Sequence, residues 1–357
     1  MVSFAFHGVS KSFNGARAVA DLTLDVPSGA FLALLGPSGC GKTTALRLLA
    51  GLERPDAGSI SIGGECVAGP STFVEPEARG LGMVFQSYAL WPHMSVETNV
   101  AFPLRSRKLE RPEVERRTAA ALALVGLSDK RADKPHRLSG GQRQRVALAR
   151  SLALEPRLVL LDEPLANLDA ALRAEMAAEF ARIHAETGTT FVFVTHDQTE
   201  AMALATTIAV LDGGRLQQIG SPQEIWQRPA SPAVARFVGG GRLVPVKVLA
   251  PTATGWEIGC GPARLAFPGT ALAPGPGWLC VRPDGLTMVD DGEAPAGDRL
   301  PARVRSSRFE GGAYLHDLDL DIPGEAPPVQ VRAPRSLPPG SAITVRIREG
   351  WVMARTL

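Results

Sequence analysis

The stretch "FLALLGPSGCGKTTALRLLAGL", residues 31–52, limits the fold more than any other in the chain. Five apolar residues run into Gly36, the pattern of a short buried strand. Helical spacing then begins near Lys42 and stops at Gly51. Between the two, "GPSGCGKT" (36–43) fits G-x-x-x-x-G-K-[ST] in the strand-then-helix context the motif requires. Gly36, Gly39 and Gly41 allow a tight turn whose N–H groups converge on phosphate oxygens. The helix adds about half a positive charge at its N-terminus. The Lys42 ammonium is placed to bridge β and γ phosphates, and the Thr43 hydroxyl to ligate Mg²⁺.

The rest of residues 1–240 alternates in the same way. "RLVLLDEP" (157–164) and "TTFVFVTHD" (189–197) read as buried strands, and "AALRAEMAAEFARIHAETG" between them as a helix ending at Gly188. This β–α–β order predicts a largely parallel sheet covered by helices. Ahead of it, "SFAFHGVSKSF" and "RAVADLTLDVPSG" alternate apolar and polar residues, an antiparallel pair joined at "NG". Residues 221–240 predict two short helices, and "GGG" at 239–241 a linker. Beyond it half of the 29 prolines punctuate short apolar runs such as "WLCVRP", "VQVRA" and "AITVRI", which predicts a small all-β barrel or sandwich. A length of 357 residues suits two or three domains.

Parallel strands bring their C-terminal ends to one edge, where ligands bind. Asp162, ending an apolar strand, is placed to hold the metal, and Glu163 beside it to polarise an attacking water. His196 ends the "FVFVTH" strand and Gln86 ends "GLGMVFQ", so both reach the same edge; the Gln86 amide could touch metal and water together. A second glycine turn has no strand before it. In "LSGGQ", Ser139 caps a helix that runs through "QRQRVALARSLAL", yet Gly140 and Gly141 weaken its start unless something approaches the backbone closely. A bare helix N-terminus is an anion site. Its simplest occupant is the γ-phosphate of ATP held by a second subunit, each phosphate loop facing the other chain's "LSGGQ" across a two-fold axis.

Composition narrows the partners. A formal net charge of +2 gives no field for nucleic acid. Cys40, Cys66, Cys260 and Cys280 show neither a C-x-x-C pair nor metal spacing, which fits a reducing compartment. No signal peptide and no apolar run of about 18 residues is evident, so a membrane process would need a separate partner.

The ordered set "GPSGCGKTT", Gln86, "LSGGQ", "LLDEP", "NLD" and "VTHD" resembles the ATP-binding subunit of ATP-binding cassette (ABC) importers over residues 3–238. The resemblance implies an α/β P-loop nucleotide hydrolase with antiparallel β and helical subdomains (cassette 1–238, helical part about 88–155), followed by an OB-like β domain at 239–357. It implies an ATPase coupled to transport, with ATP and Mg²⁺ as cofactors. Gly36, Pro37, Ser38, Gly39, Cys40, Gly41, Lys42, Thr43 and Thr44 would hold ATP, with Phe13 on the adenine where relatives usually have Tyr. Thr43, Gln86 and Asp162 would hold Mg²⁺. Glu163 would be the catalytic base and His196 the γ-phosphate contact. Ser139, Gly140, Gly141 and Gln142 would meet the partner's ATP, and Asp169 would signal across the dimer. The implied partners are a second copy, membrane permease subunits and, indirectly, an extracytoplasmic solute-binding protein, at the cytoplasmic face of a bacterial inner membrane. The segment "SYALWPHMSVETNVAFPL" (87–104) resembles the permease-docking region, and the C-terminal third leans toward the polyamine or ferric-iron groups. Two other readings are a soluble cassette ATPase of DNA repair or translation, and an ATP-switched regulatory module.

Overall fold

The computed structural model describes residues 2–355 apart from Asn167, 271–272 and 290–296. It divides into two compact units, Met1–Pro222 and Gln223–Leu357.

In the first unit, β1 (Phe4–Phe13) and β2 (Ala16–Val26) pair antiparallel around Asn14 and Gly15, which turn at φ 48° and 81°. With β4 (Ala57–Ile62) and β5 (Glu65–Ala68) they form a four-stranded sheet in the order β2-β1-β4-β5. The second sheet has six strands: β3 (Phe31–Leu35), β6 (Leu81–Val84), β7 (Leu158–Asp162), β8 (Thr190–Thr195), β9 (Thr207–Asp212) and β10 (Arg215–Gly220), ordered β10-β9-β3-β8-β7-β6. Its five strands other than β10 run parallel. Every residue of β3 and β8 is buried, as expected of parallel strands covered on both faces.

Helix α1 (Lys42–Ala50) follows β3 and stops at Gly51 in the left-handed region. Three helices, α2 (Val96–Ser106), α3 (Arg111–Leu124) and α4 (Gly140–Leu152), occupy the stretch expected to be helical. Helix α5 (Ala170–Thr187) starts at Asp169, whose carboxylate caps it, and ends at Gly188 at φ 61°. A short helix α6 (Gln198–Leu204) begins just past β8. The parallel order sends the segments after β3, β6, β7 and β8 to one sheet edge, and those segments carry the phosphate loop, Gln86, Asp162–Glu163 and His196.

A short helix at the boundary (Pro222–Gln227) and a second one (Pro232–Phe237) precede, among the described residues of the second unit, ten strands in two five-stranded antiparallel sheets. Val244, Ile258, Leu279, Leu300, Leu318, Val331 and Val345 belong to its shared core. The unit begins before residue 239, because Ala235 of the second short helix is buried with Leu243, Cys280 and Met353. The expected Gly239–Gly241 linker is instead a packed turn. A Cβ on Gly239 would lie 2.5 Å from the Trp226 ring, and one on Gly241 2.4 Å from the Ala235 carbonyl oxygen.

Candidate functional site

The phosphate loop is held by close backbone approach and by the Lys42 side chain. A Cβ at Gly36 would lie 2.1 Å from the Leu211 carbonyl oxygen, and one at Gly41 2.2 Å from that of Ala18. Gly39 and Gly41 take φ of 78° and 99°, where only glycine is unstrained. Pro37, Ser38 and Gly39 are exposed at the tip, whereas Cys40 and Lys42 are buried. Lys42 Nζ donates to the carbonyl oxygens of Gly36 and Pro37, each at 2.8 Å. Burial pushes the Cys40 thiol up, with the Lys42 charge opposing.

Arg79 fixes the other end of α1. Its guanidinium donates to the Leu48 and Leu49 carbonyls at 2.8 Å each, and to Val74 and Val67. These are the carbonyls a helix C-terminus leaves open, and a cation there complements the helix dipole. Burial pulls the guanidinium down to about 10. No sequence pattern marks this role, since the helix-end carbonyls lie some thirty residues away.

At the sheet edge five expected residues come together. Thr43 Oγ1 donates to Asp162 Oδ1 at 3.4 Å. Gln86 Nε2 donates to Glu163 Oε2 at 3.4 Å, and His196 Nδ1 lies 3.7 Å from Glu163 Oε1. Burial pushes the Asp162 carboxyl up; Arg47 opposes this and the Glu163 charge adds to it. Glu163 has φ 44°, a strained value for a residue with a Cβ and one that clusters at working sites. Among the described residues, no group of three or more His, Cys, Asp or Glu side chains could hold a metal ion. One carboxylate and one hydroxyl suit Mg²⁺, which takes its other ligands from phosphate and water. The donor set therefore fits that ion with a nucleotide and not as a protein-only cage.

Phe13 ends β1 with 41% of its surface exposed, and Lys11 Nζ sits 5.2 Å from its ring centre. The hairpin tip is pinned by Asp56, which accepts from the Ser12 N–H at 2.7 Å and from Lys11 Nζ at 3.3 Å.

The second glycine turn is a complete capping box. Ser139 Oγ accepts from Gln142 N at 3.2 Å, and Gln142 Oε1 accepts from Ser139 N at 3.0 Å. None of the hydrogen bonds of Ser139, Gly140, Gly141 or Gln142 reaches the phosphate loop. Within the chain the glycines face apolar side chains: a Cβ on Gly141 would meet Leu172 of α5 at 2.7 Å, and one on Gly140 would meet Leu168 at 3.4 Å. One further residue unseen in the sequence grips the turn after Gln86. Arg150 of α4 donates to the Tyr88 carbonyl at 2.9 Å and to the Ala89 carbonyl at 2.6 Å, and both residues have positive φ. Asn167 of the "NLD" motif lies outside the described residues.

Fold and edge geometry together define an α/β P-loop nucleotide hydrolase. The ABC transporter family matches residues 19–166. The chain is 41% identical to the Fe(3+) ions import ATP-binding protein FbpC of Rhizobium etli, covering 95% of this chain and 94% of that one. It is 42% identical to the spermidine/putrescine import ATP-binding protein PotA of Methylococcus capsulatus, over 97% of this chain and 90% of that one. A solved dimeric ATP-binding cassette in a post-hydrolysis state, bound to ADP and Pi, superposes with a TM-score of 0.54 at 28% identity, covering 62% of this chain and 99% of that one. The chain belongs to the ATP-binding subunits of ABC importers and is an ATPase.

Proposed function

We propose that two copies of this chain enclose two ATP molecules, and that closure and reopening of the pair drive solute import through separate permease subunits. The observation that carries this is the convergence of Thr43, Asp162, Gln86, Glu163 and His196 on one sheet edge. The dimeric state of the solved relative and the import names of the curated relatives support it.

In this reading the backbone of residues 36–44 cradles the phosphates, and Lys42 swings its ammonium from the loop carbonyls to the β and γ oxygens. Thr43 and Asp162, with Gln86 beside them, would hold Mg²⁺, which when bound would supply charge neutralisation for the phosphates. Glu163 accepts the proton of the attacking water, and its strained backbone aims the carboxylate. His196 steadies the γ-phosphate from the far side of Glu163. Phe13 stacks on the adenine. Ser139, with the amides of Gly140, Gly141 and Gln142, meets the partner's γ-phosphate, and Asp169 passes the partner's state to α5.

The exposed aromatics beside Gln86 suit a permease contact. Phe85 and Phe102 are 37% and 39% exposed, and the Trp91 ring lies 4.4 Å from that of Phe102, tilted by 45°. No helix among the described residues is long and apolar enough to cross a membrane. The import names of the curated relatives support a working position that is peripheral, at the cytoplasmic face of a bacterial inner membrane, with a solute-binding protein acting on the permease from outside. Relatives matching nearly the whole chain are named for import of Fe(3+) ions, spermidine/putrescine and sn-glycerol-3-phosphate; of these classes we propose a polyamine or ferric iron.

A ligand-sensing role for the second unit is favoured by a cavity of about 540 Å³ lined in part by Trp226, Phe267, Arg282 and Trp351. The test of the main reading is hydrolysis by Glu163→Gln. Turnover should fall by about 10²–10⁴, the worth of a general base, with ATP binding retained. Wild-type turnover in that variant would overturn the assignment.

A further inference from the structure

We propose that Arg173 is a positioning residue that ties the loop ahead of α5 to the His196 turn, so that a shift of one is transmitted to the other. The proposal rests on the catalytic reading above and adds a residue that reading does not use.

Arg173 lies one turn into α5, just after the cap Asp169. Its Nη2 donates to the Leu168 carbonyl at 3.1 Å, so it holds the residue before Asp169. Its Nη1 lies 3.6 Å from Asp197 Oδ2, and its Nε 3.5 Å from Glu200 Oε1. These two acids control both flanks of His196. Glu200 Oε2 accepts from the Thr195 hydroxyl at 2.6 Å, and that hydroxyl oxygen accepts from the Asp197 N–H at 2.9 Å. Asp197 also caps α6 through the N–H groups of Thr199 and Glu200. His196 is therefore the one exposed residue of a turn whose neighbours are bonded on both sides and ion-paired, at 3.5–3.6 Å, to a single guanidinium.

The cluster is closely packed. Glu163, Ala166, Arg173, Thr195, His196, Asp197 and Glu200 surround a cavity of only about 40 Å³, room for a single water. Thr195 and Glu200 are both buried. Movement of the Leu168–Asp169 backbone has little free volume to dissipate into and draws the guanidinium with it. A planar fork with five donors suits simultaneous contact with one carbonyl and two carboxylates, which a lysine would not make.

The test is a double-mutant cycle on ATP turnover of the full chain, using Asp169→Ala, Arg173→Ala and the pair. Arg173→Ala should lower kcat about tenfold while KM for ATP moves less than about twofold. If Arg173 relays what Asp169 senses, the pair should be no slower than the slower single variant. Losses that multiply, or a kcat left at the wild-type value, overturn the proposal. Arg173→Ala also removes a bond at the start of α5, so the isosteric Glu200→Gln is measured beside it, with thermal melting of each. It should lower kcat at unchanged KM, and unchanged kcat there overturns the proposal even where Arg173→Ala fails to fold. Wild-type turnover and its loss in Glu163→Gln are read in the same assay. A failure at that step strikes the catalytic reading, and a failure confined to the Arg173 and Glu200 variants strikes the relay alone.

Discussion

His196 Nδ1 stands 3.7 Å from Glu163 Oε1, although the two residues end different strands and are joined by no shared turn. The pairing follows from β7 and β8 being parallel neighbours in register, with Asp162 opposite Val194. A sheet that slipped by one residue would turn these side chains to the opposite face.

Nucleotide affinity should depend on the hairpin tip. Phe13→Ala should raise KM for ATP about tenfold, within the worth of one base–aromatic stack, and Phe13→Tyr should leave it unchanged. Asp56→Ala should shift KM the same way by less, since it frees the Ser12 N–H and the Lys11 ammonium that pin the tip. Steady-state kinetics over a range of ATP concentrations check both.

Arg79→Ala should destabilise the first unit by about 3 kcal/mol, because it strips charged hydrogen bonds from buried carbonyls of α1. Urea unfolding followed by far-ultraviolet circular dichroism measures the change. Gly51→Ala should act in the same direction, since its Cβ would fall 2.6 Å from Arg79 Nε.

Thiol chemistry should separate the four free cysteines. Cys66 is exposed and the other three are buried. Burial pushes the Cys260 thiol up to about 11 and those of Cys40 and Cys280 upward as well. A chromogenic disulfide reagent at pH 8 should titrate one thiol at once and four after denaturation. Slow loss of turnover should trace to Cys40, be prevented by ATP, and disappear in Cys40→Ser.

Stability should carry a pH signature from Glu200. Burial raises its carboxyl above 4.5, against the Thr195 hydroxyl, Arg173 and His196 and with the Asp197 charge. A raised carboxyl contributes stability that is complete below 4.5 and is lost as pH rises through the folded value. Glu200→Gln should therefore melt at a temperature that gains on wild type from pH 4.5 upward, even as its turnover falls. Melting curves at several pH values check the sign, and a gain that shrinks with rising pH would contradict it.

Much of this was legible in the sequence for a physical reason. Strands β3, β7 and β8 are apolar on both faces, so composition alone marks them, and Gly51 and Gly188 close their helices as glycine should. The residues that stayed hidden are Arg79, Arg150 and Arg173, which act on backbone carbonyls or on acids set by tertiary packing, where periodicity carries no signal. The Gly140–Gly141 pair shows a different limit. The expectation there is a phosphate of a second copy, whereas within the chain the groups nearest the two glycines are the side chains of Leu168, Leu172 and Met176. The boundary near 239 was drawn from a glycine run that proves to be packed, and the second unit begins at Gln223.

The central claim, that each hydrolytic centre is shared between two copies, is tested most directly by cross-linking. One chain carries Ser38→Cys and its partner Ser139→Cys, both with Cys40→Ser, Cys66→Ser and Glu163→Gln, and a short bismaleimide is added with and without ATP. The account predicts a linked pair that forms with ATP and not in its absence. No linked pair in saturating ATP, or the same yield without nucleotide, would contradict it.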